Sequence, residues 1–198
     1  MKLRDCKSEN RINKIKRTLC LRQESLRIVL ENIHDPHNVS AIFRSCDATG
    51  VPKISLVYTN EVFPKISRTS SASAKKWVDS ERFETVKDCF NGLKRQGFSV
   101  LASSLKDDSK NLYSLDLTRK VALVFGNEHR GISEEVEEQA DGLFYIPMNG
   151  MIQSLNVSVA TAVTLYEALR QRTEAGMYEE PSYPNEKLES LIDEWCDK

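Results

Sequence analysis

The chain has 198 residues, of which 40% are hydrophobic and 29% charged, a balance typical of one globular domain with short appendages. No apolar run approaches the ~18 residues that cross a membrane, and the charged N-terminus lacks the apolar stretch of a signal peptide, so composition disfavours membrane, secreted, fibrous and wholly disordered classes. A formal net charge of −1 at first argues against a nucleic-acid partner.

The charge is divided between the two ends of the chain. Residues 2–27 hold nine basic side chains and three acidic ones, whereas residues 174–198 hold eight acidic and two basic ones. The near-zero sum therefore hides a basic end and an acidic end. A basic end of this kind is either an arm for a polyanion or a solvated helix, and charge alone leaves both interpretations open.

The five cysteines are scattered, with no closely spaced pair. An odd count without a Cys-x-x-Cys motif disfavours a disulfide framework and a zinc site. No His, Cys or carboxylate spacing is typical of metal ligands, so we expect no metal. Free thiols fit a reducing compartment, and we expect a cytoplasmic protein.

The first predicted elements are a basic helix over about residues 9–22 and a buried strand within the apolar run 26–33. A break at residues 35–38 follows, and then a helix over 39–48. Its apolar face has the i, i+3, i+4, i+7 spacing and consists of Val39, Ile42, Phe43 and Cys46. Asn38 is the predicted N-cap of this helix.

Strand patterns recur at residues 54–58, 98–102, 121–125 and 143–146, and helical patterns at 86–96, 133–140 and 155–173. Residues 63–76 are predicted to be a flexible surface segment, and a short acidic helix over about 185–196 ends the chain. Strands that alternate with helices predict an α/β fold with a mostly parallel sheet flanked by helices.

Three segments carry candidate chemistry. In the first, Asn38-x-x-Ala41-x-x-Arg44, Arg44 lies about 140° around the helix from Val39 and is expected to be exposed. Taken alone, such a segment is more often only a capping asparagine and a surface arginine.

The second segment is the glycine-bounded loop 126–131, directly after the strand 121–125. Glycine lets a backbone approach a ligand closely, and Glu128 is its acidic member. The loop is neither a Walker A motif nor a dinucleotide fingerprint, so an ordinary strand-to-helix loop stays an alternative.

The third segment, residues 146–158, leads from a strand end into the long helix, with Ser154 as the predicted cap. Ser154 and Asn156 offer a hydroxyl and an amide at the helix start, which suit a polar ligand or serve only as caps. The predicted buried stripe of this helix is Leu155, Val159, Val163 and Tyr166.

In this order and on these elements, the three segments resemble the three motifs of the SpoU (TrmH-type) 2′-O-methyltransferases of the SPOUT class. The similarity runs through most of residues 25–178, including Gln171-Arg172 and Tyr178 after the long helix. It is strongest to the members that modify guanosine 18 of tRNA. The resemblance implies a deep C-terminal trefoil knot, a homodimer with a shared active site, and S-adenosylmethionine as methyl donor.

The resemblance also assigns residues. The catalytic set it implies is Arg44, Asn38, Glu128, Ser154 and Asn156, and the cofactor-binding set is Ser103, Gly126, Ile146, Met151 and Leu155. Arg44 matches the arginine proposed in the family to activate the 2′-hydroxyl. Because a free arginine stays protonated, we expect it to align the hydroxyl and an RNA phosphate and to stabilise negative charge.

The expected organisation is a basic helical arm (1–24), a knotted methyltransferase domain (25–176) and an acidic, helical tail (177–198). Such short arms leave no room for the extra RNA-binding domain common in family members that act on ribosomal RNA, which favours tRNA. The basic arm is expected to contact tRNA phosphates, and the acidic tail either shares in RNA binding or pairs with the basic helix. The sequence leaves open whether residues 63–76 become ordered on RNA, an ordering that the basic side chains of Lys65, Arg68, Lys75 and Lys76 would favour.

Three alternatives stay open from the sequence. The chain methylates another tRNA position or ribosomal RNA, or it is a non-catalytic RNA-binding protein that keeps the knot, or it is a generic nucleotide-binding module. The intact polar set disfavours the second, and the missing phosphate-binding motifs disfavour the third.

Overall fold

The computed structural model describes residues 3–64 and 74–198. Seven strands form one sheet in the order β3-β2-β1-β6-β4-β7-β5, and every pairing in it is parallel, which confirms the predicted fold class. The strands are β1 (Leu26–Glu31), β2 (Lys53–Val57), β3 (Asp79–Phe83), β4 (Ser99–Ser103), β5 (Lys110–Asn111), β6 (Val121–Phe125) and β7 (Gly142–Tyr145).

Six α-helices connect or flank the strands in the described ranges. They are α1 (Glu9–Cys20), α2 (Pro36–Ala48), α3 (Val86–Arg95), α4 (Glu134–Gln139), α5 (Val157–Glu174) and α6 (Asn185–Asp197). Side chains alternate between the two faces of the sheet: Ile28 and Leu30 of β1 pack on the side of α2 and α5, whereas Val29 packs on the side of α3 and α4. None of the helices in the described part of the chain is long and apolar enough to cross a membrane.

The edge strands β3 and β5 were not predicted. β3 has the sequence Asp-Ser-Glu-Arg-Phe, which carries no apolar alternation, and it is largely exposed. Its pairing with β2 is supported by Glu81, which accepts hydrogen bonds from Arg27 and Lys53 at 2.7 and 2.5 Å. Tertiary ion pairs of this kind leave no periodic pattern in a sequence.

The start of α2 differs from the prediction. Pro36 is its first residue and Asp35 is the N-cap, whose side chain accepts a hydrogen bond from the N–H of His37 at 2.8 Å. Proline suits the first helical turn because its fixed φ is already helical and no N–H is lost. Asn38 therefore lies inside the first turn, where its side chain is free to bond elsewhere. The predicted apolar face of α2 is buried as expected.

The start and the buried face of α5 also differ. The helix begins at Val157 with Asn156 as its cap, not Ser154, and Val159 and Tyr166 are exposed. The buried side includes Thr161 and Thr164, whose hydroxyls donate to backbone carbonyls one turn earlier at 2.8 and 2.9 Å. A threonine whose hydroxyl is hydrogen-bonded to its own helix packs as an apolar residue does. The buried stripe of α5 therefore cannot be recognised by hydrophobicity alone.

The basic helix and the acidic helix pack against each other. Ile15 and Leu19 of α1 meet Leu188, Ile192 and Trp195 of α6 in a separate apolar cluster. Ion pairs add to this contact: Arg4 donates to Glu189 at 2.7 Å, and Lys187 binds Glu24. Of the two expectations for the acidic tail, the structure bears out the pairing with the basic helix.

The predicted surface segment 63–76 lies mostly outside the described residues, including Lys65 and Arg68. Its last three residues, Ala74–Lys76, form a 3-10 turn in which Ala74 is buried.

Candidate active site

The loops that follow β1, β4 and β6 meet at one edge of the sheet. These three strands are neighbours in the order β1-β6-β4, so their carboxyl ends lie side by side. From β1, the next two strands of the chain, β2 and β3, are added on one side. The later strands, β4 to β7, all lie on the other side of β1. Ligands of open α/β sheets bind in the crevice that such a reversal leaves at the carboxyl ends of the strands.

A cleft of about 590 Å³ lies at this edge. It is bounded by the loops after β4 and β6 and by the start of α5, and it takes in six of the predicted site residues: Ser103, Gly126, Glu128, Ser154, Leu155 and Asn156. Its volume is in the range of sites for cofactor-sized ligands. A smaller cavity of about 100 Å³ beside it is lined by Ile146 and Met148, with Ser103, Ser154 and Leu155 on the shared wall.

Three predicted residues form a chain of hydrogen bonds across the site. The Asn38 side chain donates from Nδ2 to Glu128 Oε1 at 2.8 Å, and its Oδ1 accepts from Asn156 Nδ2 at 3.1 Å. The same Asn156 side chain caps α5 by accepting from the N–H of Ser158 at 2.9 Å. One amide thus joins the first turn of α2, the loop after β6 and the start of α5.

Glu128 also closes the turn before α2. Its carboxylate accepts from the N–H groups of His34 and Asp35 at 3.2 and 3.3 Å. Partial burial opposes the charged form, but hydrogen bonds from Asn38 and from backbone N–H groups outweigh it and lower the pKa of Glu128. The carboxylate is therefore ionised at neutral pH and acts as an acceptor for three donors.

Gly126 requires glycine for a steric reason. A Cβ at this position would lie 2.2 Å from the carbonyl carbon of Gly131 across the loop. Residues 127 and 131 form an isolated antiparallel bridge, which pulls the two sides of the loop together. The loop after β6 therefore presents backbone, without side chains, at its narrowest point.

Four predicted site residues are not among those that line the cleft. Asn38 is joined to it by hydrogen bonds to Glu128 and Asn156, and Ile146 lines the smaller cavity. The other two, Arg44 and Met151, lie apart from both. Arg44 is exposed on α2, as its helical position predicts, about 9 Å along the axis from Asn38. Met151 is fully exposed, whereas Ser154 and Leu155 of the same segment line the cleft.

Sequence reasoning missed Asn32, which directly follows β1. Its φ of 50° is a left-handed conformation that asparagine tolerates better than most residues. The Asn32 Oδ1 accepts from the N–H groups of Thr59, Asn60 and Glu61 within 3.3 Å, and its carbonyl accepts from Asn127 Nδ2 at 2.8 Å. An asparagine directly after a buried strand is the signal that could have identified it.

The described residues contain no group of three or more His, Cys, Asp or Glu side chains placed to hold a metal ion. The arrangement instead combines a cleft with a backbone-lined loop, a buried amide network and one exposed guanidinium. Such a site can bind a polar organic cofactor and present a cation to a second, anionic substrate.

Comparisons with known proteins agree with this description. The model of the SpoU rRNA Methylase family matches residues 25–166. The chain is 42% identical over 192 residues to a tRNA (guanosine(18)-2′-O)-methyltransferase of Thermus thermophilus, covering 97% of this chain and 98% of the relative.

Two solved structures extend the comparison. The TrmH/SpoU tRNA modifying enzyme of A. aeolicus superimposes with a TM-score of 0.89 at 39% identity, over 96% of each chain. An AdoMet-bound rRNA methyltransferase from Sinorhizobium meliloti superimposes with a TM-score of 0.67 at 28% identity, over 78% of this chain but 59% of the other.

Proposed function

The chain belongs to the SpoU methylase family, and we propose that it transfers a methyl group from S-adenosylmethionine to the ribose 2′-hydroxyl of guanosine 18 in tRNA. The observation that carries the proposal is the likeness to the T. thermophilus tRNA (guanosine(18)-2′-O)-methyltransferase, which spans nearly the whole of both proteins. The full-length match includes both short arms, which are the parts that distinguish members of the family.

The residues of the cleft suit the cofactor. Bound S-adenosylmethionine supplies an electrophilic methyl group on a sulfonium centre. At Gly126 the backbone of the loop lies close to that of Gly131, and the loop offers backbone groups to the cofactor. Leu155 and Ile146 offer apolar surface for an adenine ring. Ser103 and Ser154 add hydroxyls at the shared wall.

Arg44 is the group we assign to the substrate hydroxyl. A guanidinium stays protonated, so it does not remove the hydroxyl proton, which passes to water as the oxygen is methylated. Arg44 binds an adjacent phosphate and stabilises negative charge that develops on the oxygen. Asn38, Glu128 and Asn156 are positioning residues in this scheme, because their hydrogen bonds fix α2 relative to the cleft.

The basic arm supplies further RNA contacts. Arg4 is paired with α6, but other cations of this arm have no ion-pair partner within the described residues, namely Lys7, Arg11, Lys14, Lys16 and Arg17. We assign these side chains to tRNA phosphates. Residues 1–24 then serve as an RNA-binding arm and residues 177–198 as its support, with residues 25–176 as the catalytic domain.

We also propose a homodimer. Large apolar side chains are exposed on α5 and on the loop before it, namely Met151, Ile152, Val159 and Tyr166. Apolar surface of this kind is removed from water by a second copy. Met151, which lies outside its own cleft, is then available to the shared site.

With a tRNA substrate and five free cysteines, we place the protein in the cytoplasm.

Methylation of ribosomal RNA is the second candidate. The AdoMet-bound rRNA methyltransferase of S. meliloti favours it, but this chain covers 59% of that protein. The experiment is tritium transfer from labelled S-adenosylmethionine to bulk tRNA and, separately, to ribosomal RNA. We expect label in tRNA only; label confined to ribosomal RNA would overturn the substrate assignment, and no label in either would indicate a non-catalytic protein.

A further inference from the structure

Glu61 and Arg130 form an ion pair beside the amide network of the active site. Arg130 lies in the loop after β6, two residues beyond Glu128, and Glu61 lies in the loop after β2. The NH2 group of Arg130 donates to Glu61 Oε1 at 2.7 Å. Arg130 lines the cleft, and its side chain is 60% exposed, whereas that of Glu61 is 26% exposed.

The backbones that carry the pair are held in place independently of it. Asn32 accepts from the N–H groups of residues 59–61, as described above. Asn127 Oδ1 accepts from the N–H groups of His129 and Arg130 at 3.0 and 3.3 Å. Because these bonds fix both loops, the ion pair can open by side-chain rotation alone.

The pair is poorly suited to a stabilising role. An exposed ion pair changes a folding equilibrium by roughly a factor of five or less, since solvent screens it and ordering two long side chains costs entropy. Among the described residues, Arg130 donates side-chain hydrogen bonds to one partner, Glu61, although a guanidinium carries five donors. A phosphate can engage two of those donors at once and carries a full charge.

The position of Arg130 indicates which phosphate it meets. Glu128 joins the Arg130 loop to Asn38 on α2, and α2 carries Arg44. Arg130, which lines the cleft, and Arg44, which lies outside its lining on α2, therefore stand on two segments that the same carboxylate links. We expect a nucleotide whose ribose enters the cleft to bring its flanking phosphates to both segments.

We propose that Arg130 binds a phosphate next to the target nucleotide and that Glu61 holds its guanidinium in place until RNA displaces the carboxylate. The proposal rests on the proposed function, because it assumes an RNA substrate at this cleft. Glu61 does not become isolated in the exchange, since His34 Nδ1 lies 3.4 Å from Glu61 Oε2.

The test is a double-mutant cycle on tRNA binding at several salt concentrations, with Arg130→Gln, Glu61→Gln and both changes together. Arg130→Gln should weaken tRNA binding about five- to tenfold and reduce the slope of log K against log salt by about one. Glu61→Gln should tighten binding two- to threefold in the parent protein and have no effect in the Arg130→Gln background. Arg130→Lys should recover the salt slope but only part of the affinity.

Lys94→Gln is the matched control, because Lys94 forms a half-exposed pair with Asp141 at the opposite end of the sheet. It should leave the affinity for tRNA and the salt slope unchanged.

The KM for S-adenosylmethionine is measured alongside. If Arg130→Gln raises this KM and leaves tRNA affinity unchanged, the ligand of Arg130 is the cofactor carboxylate and the proposal is wrong. Weaker binding by Glu61→Gln, or additive effects in the cycle, would also overturn it.

Failure of this inference is distinguishable from failure of the proposed function. If the parent protein neither binds nor methylates tRNA, the proposed function is wrong and the inference with it. If the parent methylates tRNA and Arg130→Gln behaves as the parent does, only the inference is wrong.

Discussion

Asn38 shows, at the scale of a single residue, how the site is assembled. The sequence predicts it both as a site residue and as a helix cap. The second prediction is wrong because Asp35 is the cap, and the first stays a prediction. A side chain in the first turn of α2 can reach both Glu128 and Asn156. The side-chain oxygen of an N-cap residue would instead accept a hydrogen bond from a backbone N–H of the helix. Motif resemblance identified these polar residues, but only the fold shows which atoms meet.

Arg44→Lys is the sharpest test of the role assigned to the exposed guanidinium. Lysine keeps the charge but loses the planar fork that holds a hydroxyl and a phosphate together, so kcat should fall about 100-fold or more. The KM for S-adenosylmethionine and the melting temperature should stay the same, because Arg44 is exposed and outside the cleft lining. Near-normal turnover would contradict the assigned role.

At the scale of elements, the sequence predicted the buried strands and helices well and the polar edges poorly. β6 is an entirely buried apolar run, and β1 is entirely buried with four apolar residues among its six, so their patterns are strong. β3 depends on ion pairs, β5 has two residues, and α5 buries threonines and an arginine. These elements are stabilised by contacts between distant residues, which no local pattern records.

The loop after β6 gives a prediction about backbone space. In Gly126→Ala the new methyl group would overlap the backbone of Gly131, so the loop has to open and the cleft loses its shape. We expect the KM for S-adenosylmethionine to rise at least tenfold, measured by methyl-transfer kinetics. Gly92→Ala is the control: a Cβ there meets nothing within 4 Å, and alanine in helix α3 should stabilise the protein by roughly 0.5–1 kcal/mol. Equal kinetics in both variants would contradict the prediction.

The C-terminal half of α5 gives a prediction about stability. Arg172 is completely buried and donates to the carbonyls of Leu117, Ser25 and Arg119, so it ties α5 to the segments before β1 and β6. Burial lowers its pKa to about 10, which leaves it charged at neutral pH. Arg172→Met would leave these carbonyls unpaired and should cost about 3–5 kcal/mol of unfolding free energy.

The control for this change lies two residues earlier on the same helix. Arg170 is exposed and pairs with Glu167 and Glu174, so Arg170→Met should leave the free energy of unfolding nearly unchanged. Denaturant unfolding of the two variants gives the comparison. Losses of similar size would mean that the hydrogen bonds of Arg172 are not what holds this end of α5.

At the scale of the whole molecule, the net charge of −1 is uninformative about partners. The basic and acidic ends form one packed unit, in which α6 pairs with Arg4. Other cations of the basic arm have no ion-pair partner in the part of the chain that the structure describes. The sequence predicted the charge separation and both helices. It could not decide between RNA binding and pairing for the acidic helix, since that depends on which faces the apolar cluster of Ile15, Leu19 and Ile192 brings together. The trefoil knot stays a prediction from the family resemblance, because connectivity of this kind has no local signature.

Mapping the modified nucleotide tests the central claim most directly. A tRNA transcript is incubated with the protein and S-adenosylmethionine, digested with a base-specific nuclease and analysed by mass spectrometry. The account predicts a single 2′-O-methyl group on guanosine 18, absent from a transcript in which that guanosine is replaced. A methyl group on a base, or on the ribose of any other position, would contradict it.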